Sequence, residues 1–258
     1  MAFTRDERSG LQSFRPVAVS ARWVIGLMMA TLVFAGLAAA LAVKKVELLA
    51  RASAGEFPPD GLEAFGVLEG LLALFQLVVV VANVVAFLVW FHRVHKNLPS
   101  LEANPIKYGS GWTIGGFFVP ILNLIRPMQV MREVWHGSNP ANFESERDGG
   151  LLFGGRESTP VLVGWWWGLF LASSFVGNAV FRLAMGREQD LWHMQRQSGL
   201  EALSYALDIP AAVVAVFLVR RVTAWQSERA ALVAKTRVPQ TGLDVVGASG
   251  LGPLTPTV

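Results

Sequence analysis

The chain contains no cysteine, which excludes disulfides, zinc–thiolate sites and thiol catalysis. Charge is also scarce: 16% of its 258 residues are Asp, Glu, Lys or Arg, against about 25% in soluble globular chains. There are four scattered histidines, so a metal site would need imidazole and carboxylate together. What is present in excess is apolar: 53% of residues, with a mean hydropathy of +0.44, bunched into long uncharged runs. These features exclude a disordered chain, a nucleic-acid-binding domain and an ordinary cytosolic enzyme. They describe an integral membrane protein whose first partner is the lipid bilayer.

Four runs reach the roughly 20 residues needed to cross a hydrocarbon core at about 1.5 Å per residue. They cover residues 23–43, 62–91, 161–181 and 200–219. The first follows a segment, 1–22, with four arginines. Ala40-Leu41-Ala42 resembles a signal-peptidase site, but an uncharged run of 21 residues exceeds the roughly 7–15 of a signal-peptide core. It reads as an anchor that stays.

A fifth apolar stretch, 111–125, carries three glycines with Pro120 in its middle. It is too short and too broken for a span, and segments of this kind are re-entrant or interfacial. Charge decides the count. Four spans with an inside N-terminus place 16 Lys and Arg inside and 6 outside, whereas a fifth span gives 10 and 12. The positive-inside rule therefore selects four spans, multi-pass in the cell membrane, with both termini cytoplasmic.

Pro127 opens a helix over 127–137 with Met128, Met131, Val134 and Trp135 on one side, an amphipathic, surface-lying pattern. Residues 226–258 read as a cytoplasmic tail. From about 238 its four glycines and three prolines predict disorder. The fold expected is all-α: a four-helix membrane bundle over 23–225, with a broken hydrophobic segment and a cytoplasmic surface helix.

Trp90-Phe-His-Arg-Val-His-Lys-Asn-Leu98, then Gly111-Trp112, Phe118-Val-Pro120, Asn123-Leu124, Arg126-Pro127 and Glu133-Val-Trp135 form an ordered string. Over roughly residues 65–220 it resembles a bacterial multi-span membrane family, domain-of-unknown-function family 4328. His92 and His95 stand where that family's pattern carries other residues, so the resemblance implies no histidine chemistry. It implies the fold and no activity.

Polar residues inside the spans are the candidate site. Glu69, Gln76 and Asn83 recur every seven residues, close to two helical turns, and share a stripe. Ser174, Asn178 and Arg182 make a second stripe at a spacing of four, and Tyr205 and Asp208 share a face in the fourth run. A central Asp or Arg facing lipid costs about 2.5–3.5 kcal/mol on insertion scales. The stripes are therefore expected to face each other, gathering Glu69, Asn178, Arg182 and Asp208. Such a cluster is either interhelical glue or a solute, ion or proton site, and glue is the commoner.

The broken segment offers Trp112, Pro120, Asn123, Arg126 and Pro127. If it is re-entrant, Asn123 lines a polar cavity. Arg93, Lys96 and Arg132 form a basic cytoplasmic rim suited to anionic lipid head groups. His92-x-x-His95 and Glu133-x-x-His136 could imitate metal-ligand spacing, but the basic neighbours disfavour a cation. No nucleophile elbow, P-loop or dinucleotide fingerprint is present, so no catalytic residue, metal or cofactor is expected. Gly164, Gly168 and Ala172, with Gly66 and Gly70, permit close helix approach, within the chain or in a homo-oligomer. The function expected is a non-enzymatic membrane scaffold or subunit of an unidentified protein partner. A solute or ion pathway ranks next, and a lipid-modifying enzyme third.

Overall fold

A computed structural model describes residues 14–55, 59–103, 105–143, 160–186 and 191–247. Among them there are six α-helices and no strand: α1 (Ala18–Ser53), α2 (Pro59–Lys96), α3 (Trp112–Phe118), α4 (Arg126–Ser138), α5 (Val161–Ala184) and α6 (Leu191–Gly247). Short 3-10 turns cover Leu98–Leu101, Leu122–Leu124 and Pro140–Asn142. Four stretches are long and apolar enough to cross a membrane: Ala18–Arg51, Gly66–Lys96, Val161–Leu183 and Arg196–Thr236. The chain is an all-helical membrane protein.

Local chemistry explains why the helices outrun the apolar segments. Past Val43, α1 continues because Glu47 pairs with Lys44 at 2.6 Å and with Arg51 at 2.7 Å, the i,i+3 and i,i+4 spacings that support a helix. The β-branched run Val78-Val-Val-Val81 stays helical within α2. Helix propensities differ by only about 0.7 kcal/mol among ordinary residues, whereas each unpaired backbone group in hydrocarbon costs several kcal/mol. At the C-terminus α6 runs to Gly247, beyond the point near 238 where a disordered tail was expected. The breakers explain the difference: three of the four glycines and two of the three prolines fall at or after Gly247. Residues 248–258 lie outside the described ones.

α6 lies along α1 and α5, and α1 lies along α2, while α2 and α5 make little direct contact. The spatial order is therefore α2, α1, α6, α5. The buried core gathers at one end, called here the capped end, where α4 packs beneath the bundle. It joins Val17, Ala21 and Val24 to Trp90, Phe91 and Val94 of α2. It also takes in Val130, Met131 and Val134 of α4, Trp166 and Trp167 of α5, and Leu218, Val219 and Val222 of α6. Exposed Arg93, Lys96, Lys107 and Arg220 mark this end as the one that meets water. There each buried Val, Leu or Phe is worth about 1.5–3 kcal/mol, while between helices in hydrocarbon the hydrophobic drive is absent. That asymmetry accounts for a core concentrated at one end.

The broken segment wedges between the outer helices. Phe117 of α3 sets its ring edge-on to Phe87 and Phe91 of α2 and to Trp167 and Phe170 of α5, at 6.1–6.5 Å between centroids. After α3 the chain reverses at Pro120-Ile121-Leu122, where Leu122 N–H reaches Pro120 O at 2.8 Å. Ile121 sits at φ 68°, ψ −49°, the strained positive-φ γ-turn that β-branched residues rarely adopt. Trp167 Nε1 then ties the segment to α5 by donating to Leu124 O at 2.8 Å.

Candidate functional site

Among the described residues, the intramembrane polar groups pair on separate seams. Asn83 Nδ2 donates to Thr31 Oγ1 of α1 at 3.3 Å. On the opposite seam Ser173 Oγ donates to Asp208 Oδ1 across the α5–α6 contact. The Asn83–Thr31 pair lies about one helical turn from Met28 and Phe87 of the capped-end core, and the Ser173–Asp208 pair about two turns from Trp167 and Ala215, or about 10 Å at 1.5 Å per residue. The α1–α6 contact separates them. Asn178 is exposed, its Nδ2 donating to Ser174 O of its own helix at 3.0 Å, and Arg182 is exposed near the end of α5. Of the cluster expected from Glu69, Asn178, Arg182 and Asp208, the three members with described side chains are thus not gathered together. The helix's own carbonyl satisfies Asn178, and an arginine near a span end reaches the polar interface along its stem. Gln76 is half-buried on α2, and the side chain of Glu69 lies outside the described residues.

At the far end from the cap, Lys45 of α1 approaches Glu201 of α6 at 3.9 Å, and Gln197 Nε2 donates to Glu201 at 2.8 Å.

The capped end holds the polar residues that are tightly engaged, and two of them sit on α6 beyond its charged stop at Arg220-Arg221. Gln226 is fully buried: its Nε2 donates to Val94 O at 2.8 Å and to Ser138 Oγ at 3.1 Å, and its Oε1 accepts from Asn97 Nδ2 at 3.1 Å. Asn97 also pairs with the backbone of Arg15, accepting its N–H at 3.3 Å and donating to its carbonyl at 2.9 Å. Arg229 is likewise fully buried. Nε, Nη1 and Nη2 donate to Leu101 O, Asn139 O and Glu102 O at 2.8, 3.1 and 3.2 Å. These carbonyls end the turn at Leu98–Leu101 and helix α4, where a cation offsets the negative end of the dipole. One α6 face thereby clasps α2 and α4 and, through Asn97, the backbone of Arg15 ahead of α1.

Gln226, Arg229 and Ser138 are not among the residues the sequence singles out, and Asn97 enters there only within the string Trp90–Leu98. A signal existed: Val222, Gln226, Arg229 and Val233 repeat at helical spacing, so two polar residues occupy an apolar stripe.

Of the two histidine motifs, one pair forms. His95 Nε2 lies 3.0 Å from Glu133 Oε1, with both side chains over nine-tenths buried. Glu133 Oε2 accepts the backbone N–H groups of Lys107 at 2.7 Å and Tyr108 at 3.3 Å. His92 turns away, its Nδ1 3.1 Å from both Ser110 O and Thr113 Oγ1. No three His, Asp or Glu side chains converge among the described residues.

The Glu133-bound loop places Tyr108 against the broken segment. Arg126 stacks between the rings of Tyr108 and Trp112, its Cζ 4.9 Å from each centroid. Gln129 Oε1 accepts from Arg126 Nη1 at 3.1 Å and from the Tyr108 hydroxyl at 3.3 Å. Pro127 is buried at the start of α4, while Pro120 and Asn123 are exposed at the tip. Arg93 and Lys96 are exposed and Arg132 is half-buried. The structure therefore joins Trp112 and Arg126 in one contact and leaves Asn123 outside any enclosed site.

The profile of the domain-of-unknown-function family DUF4328 matches residues 56–224, which takes in α2, α3, α4, α5 and the α6 segment up to the clasp. Neither a curated protein nor a solved structure matches the chain.

Proposed function

The chain belongs to the DUF4328 family, and we propose that it is a non-enzymatic membrane scaffold or partner subunit with both termini in the cytoplasm. The observation that carries this reading is the pairing of intramembrane polar groups on separate seams, Asn83 with Thr31 and Ser173 with Asp208. Paired in that way they act as interhelical glue. A pathway needs them to share one wet cavity. The excess of Lys and Arg on the capped side of the spans supports a cytoplasmic cap. α2 lies at the edge of the row, with its apolar stretch facing outward, so lipid, a partner protein or a second copy would meet the bundle there.

One observation favours a second reading. Asp208 is a half-buried carboxyl well inside a span, a position at which proton relays are built. A lipid-modifying enzyme fits less well, because the His95–Glu133 pair is closed to substrate by burial. The scaffold and relay readings separate in proteoliposomes that enclose a pH-sensitive dye. Scaffold vesicles leak protons at the rate of protein-free ones, and Asp208→Asn changes nothing. Proton entry above that background which disappears in Asp208→Asn overturns the scaffold reading.

A further inference from the structure

Arg126 is a held cation that no carboxylate among the described residues neutralises. Its stem is packed: a Cβ added at Gly116 would lie 3.2 Å from Arg126 Cγ. Its head is fixed between Tyr108 and Trp112. Yet of the five N–H groups a guanidinium offers, one is engaged, Nη1 with Gln129. Nε is buried with no hydrogen-bond partner, and no carboxylate among the described residues comes within ion-pair distance. A buried donor without an acceptor requires an explanation, an absent ion among them. A stacked, oriented guanidinium binds oxyanions through two N–H groups at once. Gln129 adds to this, because two donors occupy its carbonyl oxygen and its amide nitrogen donates to nothing among the described residues.

The surroundings select the anion. Immediately before Arg126, the segment tip exposes Phe118 and Ile121 at 71% and 78%, and Leu124 and Ile125 are also open. Lys96 and Lys107 at the capped end are exposed. Tyr and Trp are the rings that settle at a membrane interface. An apolar tip, interfacial rings and basic residues together supply the chemistry that an acyl chain and an anionic headgroup require.

We propose that the Arg126 cage binds a phosphate-bearing anion, with an anionic phospholipid headgroup as the source the apolar tip favours. This stands apart from the scaffold reading, since it rests on different residues and a scaffold with or without bound lipid satisfies it equally.

The test is native mass spectrometry of the full chain in neutral detergent, titrated with phosphatidylglycerol, alone and with millimolar inorganic phosphate. One charge-assisted pair is expected to account for about tenfold in affinity, so Arg126→Gln should bind the lipid about tenfold more weakly than the wild type. Lipid binding that inorganic phosphate leaves unchanged assigns the site to the headgroup. Displacement by inorganic phosphate, together with a phosphate-induced rise in melting temperature in the wild type alone, supports the site with a soluble phosphate as its ligand. Equal binding of both probes by wild type and Arg126→Gln overturns the proposal. Should Arg126→Gln fail to fold, Arg126→Lys decides, because it keeps the charge and stem but loses the fork. Undiminished lipid binding by that variant overturns the proposal as well.

Discussion

Arg229→Met is expected to remove about 3–5 kcal/mol of stability, the range for breaking one side of a buried charged contact. Methionine matches the arginine stem, so the loss comes from polar groups rather than from a cavity. Three backbone carbonyls, Leu101 O, Glu102 O and Asn139 O, share the guanidinium at a place where its side chain has no solvent exposure. Each buried acceptor left without a partner costs about 1–3 kcal/mol, and the three are not additive. At about 2–4 °C per kcal/mol for a chain of this size, the midpoint of a tryptophan-fluorescence melt in detergent falls by about 10 °C. Arg229→Lys keeps the charge but cannot fork over three carbonyls, and it lands between the two. A midpoint for Arg229→Met within about 1 °C of the wild type, less than 0.5 kcal/mol on the same scale, would show that the clasp does not hold the cap.

Glu133→Ala has the second largest effect, and its signature is local. The carboxylate meets His95 Nε2 and the N–H groups of Lys107 and Tyr108 at 3.0, 2.7 and 3.3 Å. Bonds to a charged acceptor are worth about 1.5–3 kcal/mol each, and losing the set should destabilise the loop by about 3 kcal/mol. Amide exchange at Lys107 and Tyr108 then accelerates about a hundredfold, since 1.4 kcal/mol is a factor of ten. Tyr108 also leaves Arg126, so the variant weakens the cage without touching the guanidinium. Unchanged protection at both amides would mean that Glu133 does not order this loop.

The architecture was legible where one physical requirement dominates. A hydrocarbon core demands about 20 apolar residues per helix, and four helices meet that demand where the runs lie. Proline at the first helical turn placed α4 within one residue of its observed start at Arg126. Pro120 marked the break, but nothing in the sequence announced that the residue after it, Ile121, would take the positive φ.

Periodicity placed Asn83 and Asp208 on stripes, yet a stripe does not say which helix it faces. The partners are Thr31, in the first uncharged run, and Ser173, one residue off the stripe of Ser174, Asn178 and Arg182. The clasp was illegible for a different reason. Arg220-Arg221 reads as the end of a span, so Gln226 and Arg229 were assigned to a cytoplasmic tail. Their burial depends on α4 folding back beneath the bundle, which is a tertiary fact.

The absence of cysteine makes the most direct measurement simple. Single cysteines at Gln76, Asn83, Leu122, Asn178 and Asp208 are treated with a membrane-impermeant maleimide from each side in turn, with Ser227 and Lys107 as exposed controls. Thiolates form and react where water reaches them. The account predicts labelling at both controls and silence at Asn83 and Asp208 from either side, because each position lies on a closed helix seam. Labelling at Asn83 or Asp208 would reveal water at mid-membrane and contradict the scaffold, leaving a conducting pathway as the reading the molecule supports.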